Sequence, residues 1–165
     1  MYHQYMQTVL VKVTGTVLVT ALIAHPLYAP HWGTGILGEV TAAGPVGGPV
    51  FVAVFFGLVA LYCRALERTL VLAGADRPGA VWWMFAIPYN FTEDFFIVGR
   101  VRAALAGRVT PEFLRWWSIL GYGWCAFQIL SLLPGLPGYA GGAVAVPLWA
   151  AHWIMTSRLQ HTLGT

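Results

Sequence analysis

Gly79-Ala-Val-Trp-Trp-Met-Phe-Ala-Ile-Pro88-Tyr-Asn-Phe-Thr-Glu93-Asp94, running on through Phe-Phe-Ile-Val-Gly-Arg100-Val-Arg-Ala-Ala-Leu-Ala-Gly-Arg108, is the stretch on which the fold turns. It is apolar enough to enter a membrane, yet Pro88, Asn90 and two adjacent carboxylates interrupt it where a spanning helix would be uniform. Counting Lys and Arg near the ends of spans separates two topologies. If residues 79–102 cross the bilayer, Lys12, Arg64, Arg68 and Arg77 fall on one side and Arg100, Arg102, Arg108, Arg115 and Arg158 on the other, which orients nothing. If the segment dips in and returns, all nine basic residues share one side and the remaining loops carry none. The second pattern obeys the positive-inside rule. A charged carboxylate near the bilayer centre also costs about 2.5–3.5 kcal/mol on insertion scales, and here there are two.

The stretch is therefore expected as a re-entrant or interfacial segment over about residues 80–106. Val81–Ile87 is too short to span and is stopped by Pro88. Asn90 or Thr92 can cap the helix that follows, with Glu93 and Asp94 in its first turn and Arg100 and Arg102 toward its negative end. Phe91, Phe95, Val98 and Leu105 recur at helical spacing, an apolar face expected to lie in the lipid headgroup region.

Composition sets the class around this segment. Of 165 residues, 58% are hydrophobic and 9% charged, and the mean hydropathy is +0.69, against roughly 25% charged in soluble domains. The chain is expected to be an all-α integral membrane protein, one domain over 1–165 with four transmembrane helices. The first span, about 9–28, lacks the basic start of a signal peptide apart from Lys12; it reads as a retained span ended by His25-Pro26. A Gly- and Pro-rich loop follows over 30–49. The second span, about 50–73, continues past the bilayer with Arg64 and Arg68 snorkelling to headgroups, and Gly74 suits its end. Thr110-Pro111-Glu112 starts the third, about 113–133. The fourth, about 139–157, follows the uncharged hairpin Leu133–Gly138 and is bent at Pro147.

Both termini then lie in the cytoplasm, with a bacterial inner membrane as the expected location. The cytoplasmic face carries nine basic and five acidic residues, Glu39 alone being outside, and the difference of +4 favours membrane lipids with anionic headgroups. The dispersed arginines match no nucleic-acid-binding module.

The candidate chemistry is sparse. Cys63 and Cys125 fall in apolar helical stretches and read as packing residues. His25 and His31 flank a proline-containing loop where they could share a metal, with Glu39 as the available third ligand, whereas His152 lies too deep to share a haem with His25. Ala21-Leu-Ile-Ala-His25 followed by Trp32 resembles the small residue, three-residue spacer and histidine of bacterial light-harvesting polypeptides; Pro26 departs from that pattern. The resemblance covers about a dozen residues and implies a pigment- or haem-associated subunit of a photosynthetic or respiratory complex, with His25 binding bacteriochlorophyll.

Glu93 and Asp94, beside Tyr89 and Asn90, are the candidates for acid–base work on a lipid-like substrate in a small membrane enzyme or carrier. The alternative for both is helix-terminal charge and ion pairing with arginines. No H-E-x-x-H, G-x-S-x-G or phosphate-binding loop occurs, and no inverted repeat suggests a transporter. Small residues such as Gly57 and Gly121 permit close helix approach, and Trp82, Trp83, Trp116 and Trp117 stand within unusually wide aromatic cover. These favour a non-catalytic accessory or structural subunit that packs against other membrane proteins, needs no cofactor and holds lipid. No known family covers the chain.

Overall fold

A computed structural model describes residues 2–33 and 35–164, with the side chains of residues 2–4, 36, 37 and 39 outside the description. Its order is α1 (Tyr2–Tyr28), a 3-10 turn (Pro30–Trp32), α2 (Gly35–Ala42), α3 (Gly44–Leu72), a 3-10 segment (Pro78–Phe85), α4 (Asn90–Leu105), α5 (Pro111–Leu130) and α6 (Leu136–Leu163). The protein is all-helical, with no strand among the described residues. Two helices, Tyr5–Tyr28 and Gly44–Leu72, are long and apolar enough to cross a membrane. The other two expected spans, now α5 and α6, fall short because Trp, Tyr, Gly, Pro and His dilute their aliphatic content.

The contacts fix how the helices run. Tyr62 meets His152, and Gln160 bonds the Ala65 carbonyl, so α3 and α6 run parallel. Trp117 bonds Thr156 while Gly123 faces Leu148, which makes α5 and α6 an antiparallel hairpin. The segment 78–105 is an excursion. Trp82 lies at Glu67, Met84 at Cys63 and Phe85 at Phe56, so the 3-10 segment retraces α3 inward. Helix α4 then returns, and Arg108 finishes beside Gly74. Entry and exit thus share one end of the bundle. Gly74 takes φ +67 after α3, a left-handed turn that favours glycine.

Four expectations are corrected. Pro26 does not end α1; the helix continues to Tyr28. Proline cannot donate to the carbonyl four residues back, but the His25 ring replaces it: Nδ1–H donates to the Leu22 carbonyl at 2.7 Å. The 30–49 stretch is not an open loop, since α2 occupies much of it and Gly44 at φ +80 turns the chain directly into α3. Neither Asn90 nor Thr92 caps α4, whose first helical residue is Asn90 and whose cap position, Tyr89, makes no side-chain capping bond. Finally, α4 is not an amphipathic surface helix. Phe91, Ile97, Val98, Val101 and Leu105 are buried in the protein, enclosed by α1, α3, α5 and the 3-10 segment. The spacing marked a buried stripe correctly; its partner is protein rather than headgroups.

A main core joins α3, the 3-10 segment, α4, α5 and α6, with Tyr62, Leu66, Val98, Val101, Leu105, Trp117 and Leu159 among its members, and a second cluster of Val19, Phe91 and Leu132 packs α1 against α4. Trp117 is fully enclosed, its Nε1–H donating to Thr156 Oγ1 at 2.9 Å, and Thr156 donates in turn to the His152 carbonyl at 2.8 Å. Thr110 caps α5 as its sequence requires, accepting from the Phe113 amide at 3.3 Å.

Candidate functional site

The two carboxylates at the start of α4 have different surroundings, because adjacent helical residues point about 100° apart. Glu93 faces α1. It accepts from the Tyr89 hydroxyl at 2.6 Å and from Arg100 Nη2 at 2.7 Å, and it pairs with Lys12. Lys12 also donates to the Tyr89 hydroxyl at 3.1 Å and lies 4.6 Å from the Phe96 ring centroid. Glu93 is therefore saturated, and its role is to hold α1 against α4. Gly15 makes that approach possible, since an added Cβ would sit 2.7 Å from Thr92 Oγ1.

Asp94 faces the other way and is 2% exposed, with Oδ1 lacking any protein partner. Burial pushes its carboxyl well above the usual range, and the neighbouring Glu93 charge adds to the shift. It lines a partly open apolar cavity of about 330 Å³, walled by α3, α5, α6 and the tip of the 78–105 excursion, with Ile23 of α1 and Val40 of α2 at its side. Along α3 the walls run from Phe51 to Tyr62, about 16 Å at 1.5 Å per residue.

Five further polar side chains among the described residues line the same cavity: Tyr62, Asn90, Trp124, Gln128 and Ser131. Asn90 Oδ1 and Gln128 Oε1 are buried without a donor. Trp124 Nε1–H approaches the Tyr62 hydroxyl without reaching hydrogen-bond geometry. Asn90 and Asp94 are one turn apart on α4, and Trp124 and Gln128 one turn apart on α5. The sequence reading singled out Glu93 and Asp94 but missed Trp124 and Gln128. Their i, i+4 spacing in an otherwise apolar span was the available signal.

The remaining candidates are scattered. His25 is buried, with Nε2 unpartnered, and His31 is exposed; Trp32 lies beside both rings at 6.3 and 5.8 Å. The Glu39 carboxylate lies outside the described side chains. No group of three or more metal-ligating side chains occurs among the described residues. His152 is in the core, sharing a 2.8 Å hydrogen bond with the Tyr62 hydroxyl and lying 4.2 Å from the Trp117 ring. Gly121 fits against it: a Cβ there would meet His152 Nε2 and Val98 Cγ1, each at 2.8 Å. Gly57 is the opposite case, outward-facing with nothing within 4 Å of an added Cβ. Trp83 and Trp116 are exposed, and Trp82 is tied to Glu67 through its N–H at 3.1 Å. No protein-family model, curated protein or solved structure matches the chain.

Proposed function

We propose that this chain is an integral membrane protein that holds a lipid-like ligand in the cavity lined by the start of α4. In this reading α1, α3, α5 and α6 span the bilayer, residues 78–105 form a re-entrant excursion, and both termini are cytoplasmic. Support for the membrane comes from α1 and α3, whose apolar side chains turn outward: Leu10, Val17, Leu18, Val50, Val54 and Leu61 are all exposed. The core helix of a soluble protein would bury them. The observation that carries the binding reading is the convergence of unpartnered buried side chains on one apolar cavity. Buried polar groups are almost always hydrogen-bonded, and Asn90, Asp94 and Gln128 all wall the same space.

Gly142→Phe tests it. Gly142 lines the cavity, and a Cβ there meets only Ser131 Cβ at an ordinary 3.8 Å. The ring fills the space without displacing backbone. Native mass spectrometry after gentle extraction should find a lipid-like adduct on the wild type and none on this variant; identical spectra would refute the reading.

A second reading, an accessory subunit of a larger membrane assembly, is favoured by Gly57 on the outward face of α3, where a partner helix can approach closely. Gly57→Leu should then release the chain from its assembly without altering its own fold. Retention of an assembly by that variant would count against the subunit reading.

A further inference from the structure

The cavity walls specify a ligand chemistry, an inference that rests on the binding reading above. Among the described residues that line it there is no Lys, Arg or His, and Asp94 is the one carboxyl. Three side-chain oxygens among the lining residues are buried without donors: Asn90 Oδ1, Asp94 Oδ1 and Gln128 Oε1. An aliphatic ammonium has three N–H donors and no acceptor. A carboxylate or phosphate head would find one unpartnered donor, the Trp124 indole N–H, against these three acceptors. Tyr62, Phe91 and Trp124 are also among the walls, and aromatic faces attract cations.

We propose that the cavity takes a lipophilic primary amine, its ammonium group seated among Asp94, Asn90 and Gln128 and its hydrocarbon chain lying along α3 toward Phe51. Neither charge is favourable alone in this place, since burial penalises each, but pairing with hydrogen bonds offsets the penalty. The protein's own cations do not serve, because Lys12 and Arg100 are both engaged by Glu93 on the α1 side of α4. The amine would complete a buried pair of which the chain supplies half.

The test uses the full chain in maltoside micelles with equimolar dodecylamine, dodecanol and dodecyl phosphate, bound species being counted by native mass spectrometry. The amine should exceed the alcohol by roughly tenfold or more, the worth of a charge-assisted hydrogen bond. Asp94→Asn should erase that preference while still admitting the alcohol, and Gln128→Leu should weaken it. Equal uptake of alcohol and amine, a preference for the phosphate, or an amine preference that survives Asp94→Asn would overturn the amine assignment and leave the cavity as a binding site. Failure of all three probes, or uptake unchanged by Gly142→Phe, would overturn the binding reading itself.

Discussion

Asp94→Asn separates a buried acid from a packing residue, because the two side chains have nearly the same shape and only one can ionise. In the folded chain burial, and secondarily the Glu93 charge, holds the proton on Asp94 well above the usual range. A carboxyl with a raised folded pKa binds its proton more tightly when folded than when unfolded. Its contribution is therefore fully present below the ordinary value of about 3.9 and is lost as pH rises toward the folded value, by about 1.4 kcal/mol per pH unit. The other titratable groups within electrostatic reach, Glu93, Tyr62, Cys63 and Cys125, are present in both proteins, so the difference between the two isolates Asp94. Unfolding of wild type and variant in detergent, measured between about pH 5 and 8, should show the variant gaining on the wild type by about 1.4 kcal/mol per pH unit until the folded pKa is passed. Parallel curves across that range would mean that Asp94 ionises normally in the folded protein, and the account of its burial would be wrong.

Gly121→Ala forces a methyl against His152 and Val98, an overpacking cost of about 1–3 kcal/mol, whereas Gly57→Ala meets nothing. The gain in helix propensity is common to both, so unfolding measurements should place Gly121→Ala below Gly57→Ala by about that amount; equal stabilities would refute the packing. His25→Phe frees the Leu22 carbonyl that Pro26 cannot serve, and loss of about 0.5–1.5 kcal/mol is expected from the lost hydrogen bond at this part-buried acceptor; a variant as stable as wild type would reopen ligand binding as the role of this ring. Single cysteines at Ala106 and Leu136, both exposed, should be labelled from the cytoplasm and from outside respectively, with the native Cys63 and Cys125 buried and silent. Labelling of both from one side would sink the topology.

The same-end return of residues 78–105 was legible because it rests on charge and on Pro88, quantities that a sequence carries directly. Gly74 and the Thr110 cap were legible for a similar reason: each is a local interaction within a few residues. What escaped was tertiary. Phe91, Val98 and Leu105 announce an apolar stripe, but periodicity does not say whether lipid or protein covers it. Pro26 reads as a stop unless the ring of His25 is known to reach the freed carbonyl. The cavity depends on Asn90 and Asp94 of α4 meeting Gln128 of α5, and nothing in either helix alone announces that encounter. Two neighbouring acids likewise looked equivalent until the helix turned one toward Lys12 and the other toward the cavity.

The Lys12–Glu93 pair bears on how the protein is made. Lys12 stands inside α1, and its counter-ion follows about 80 residues later. An unpaired lysine within a spanning helix costs about 2.5–3.5 kcal/mol on insertion scales, so in the proposed topology α1 would first be held toward the cytoplasmic surface, its ammonium reaching for water. In that topology the return of α4 supplies the carboxylate that lets α1 settle. The prediction is that chains truncated before residue 90 seat α1 more shallowly than the complete chain, which depth-dependent labelling of Val17 and Tyr28, replaced singly by cysteine, would reveal; equal depth in both would show that α1 needs no partner.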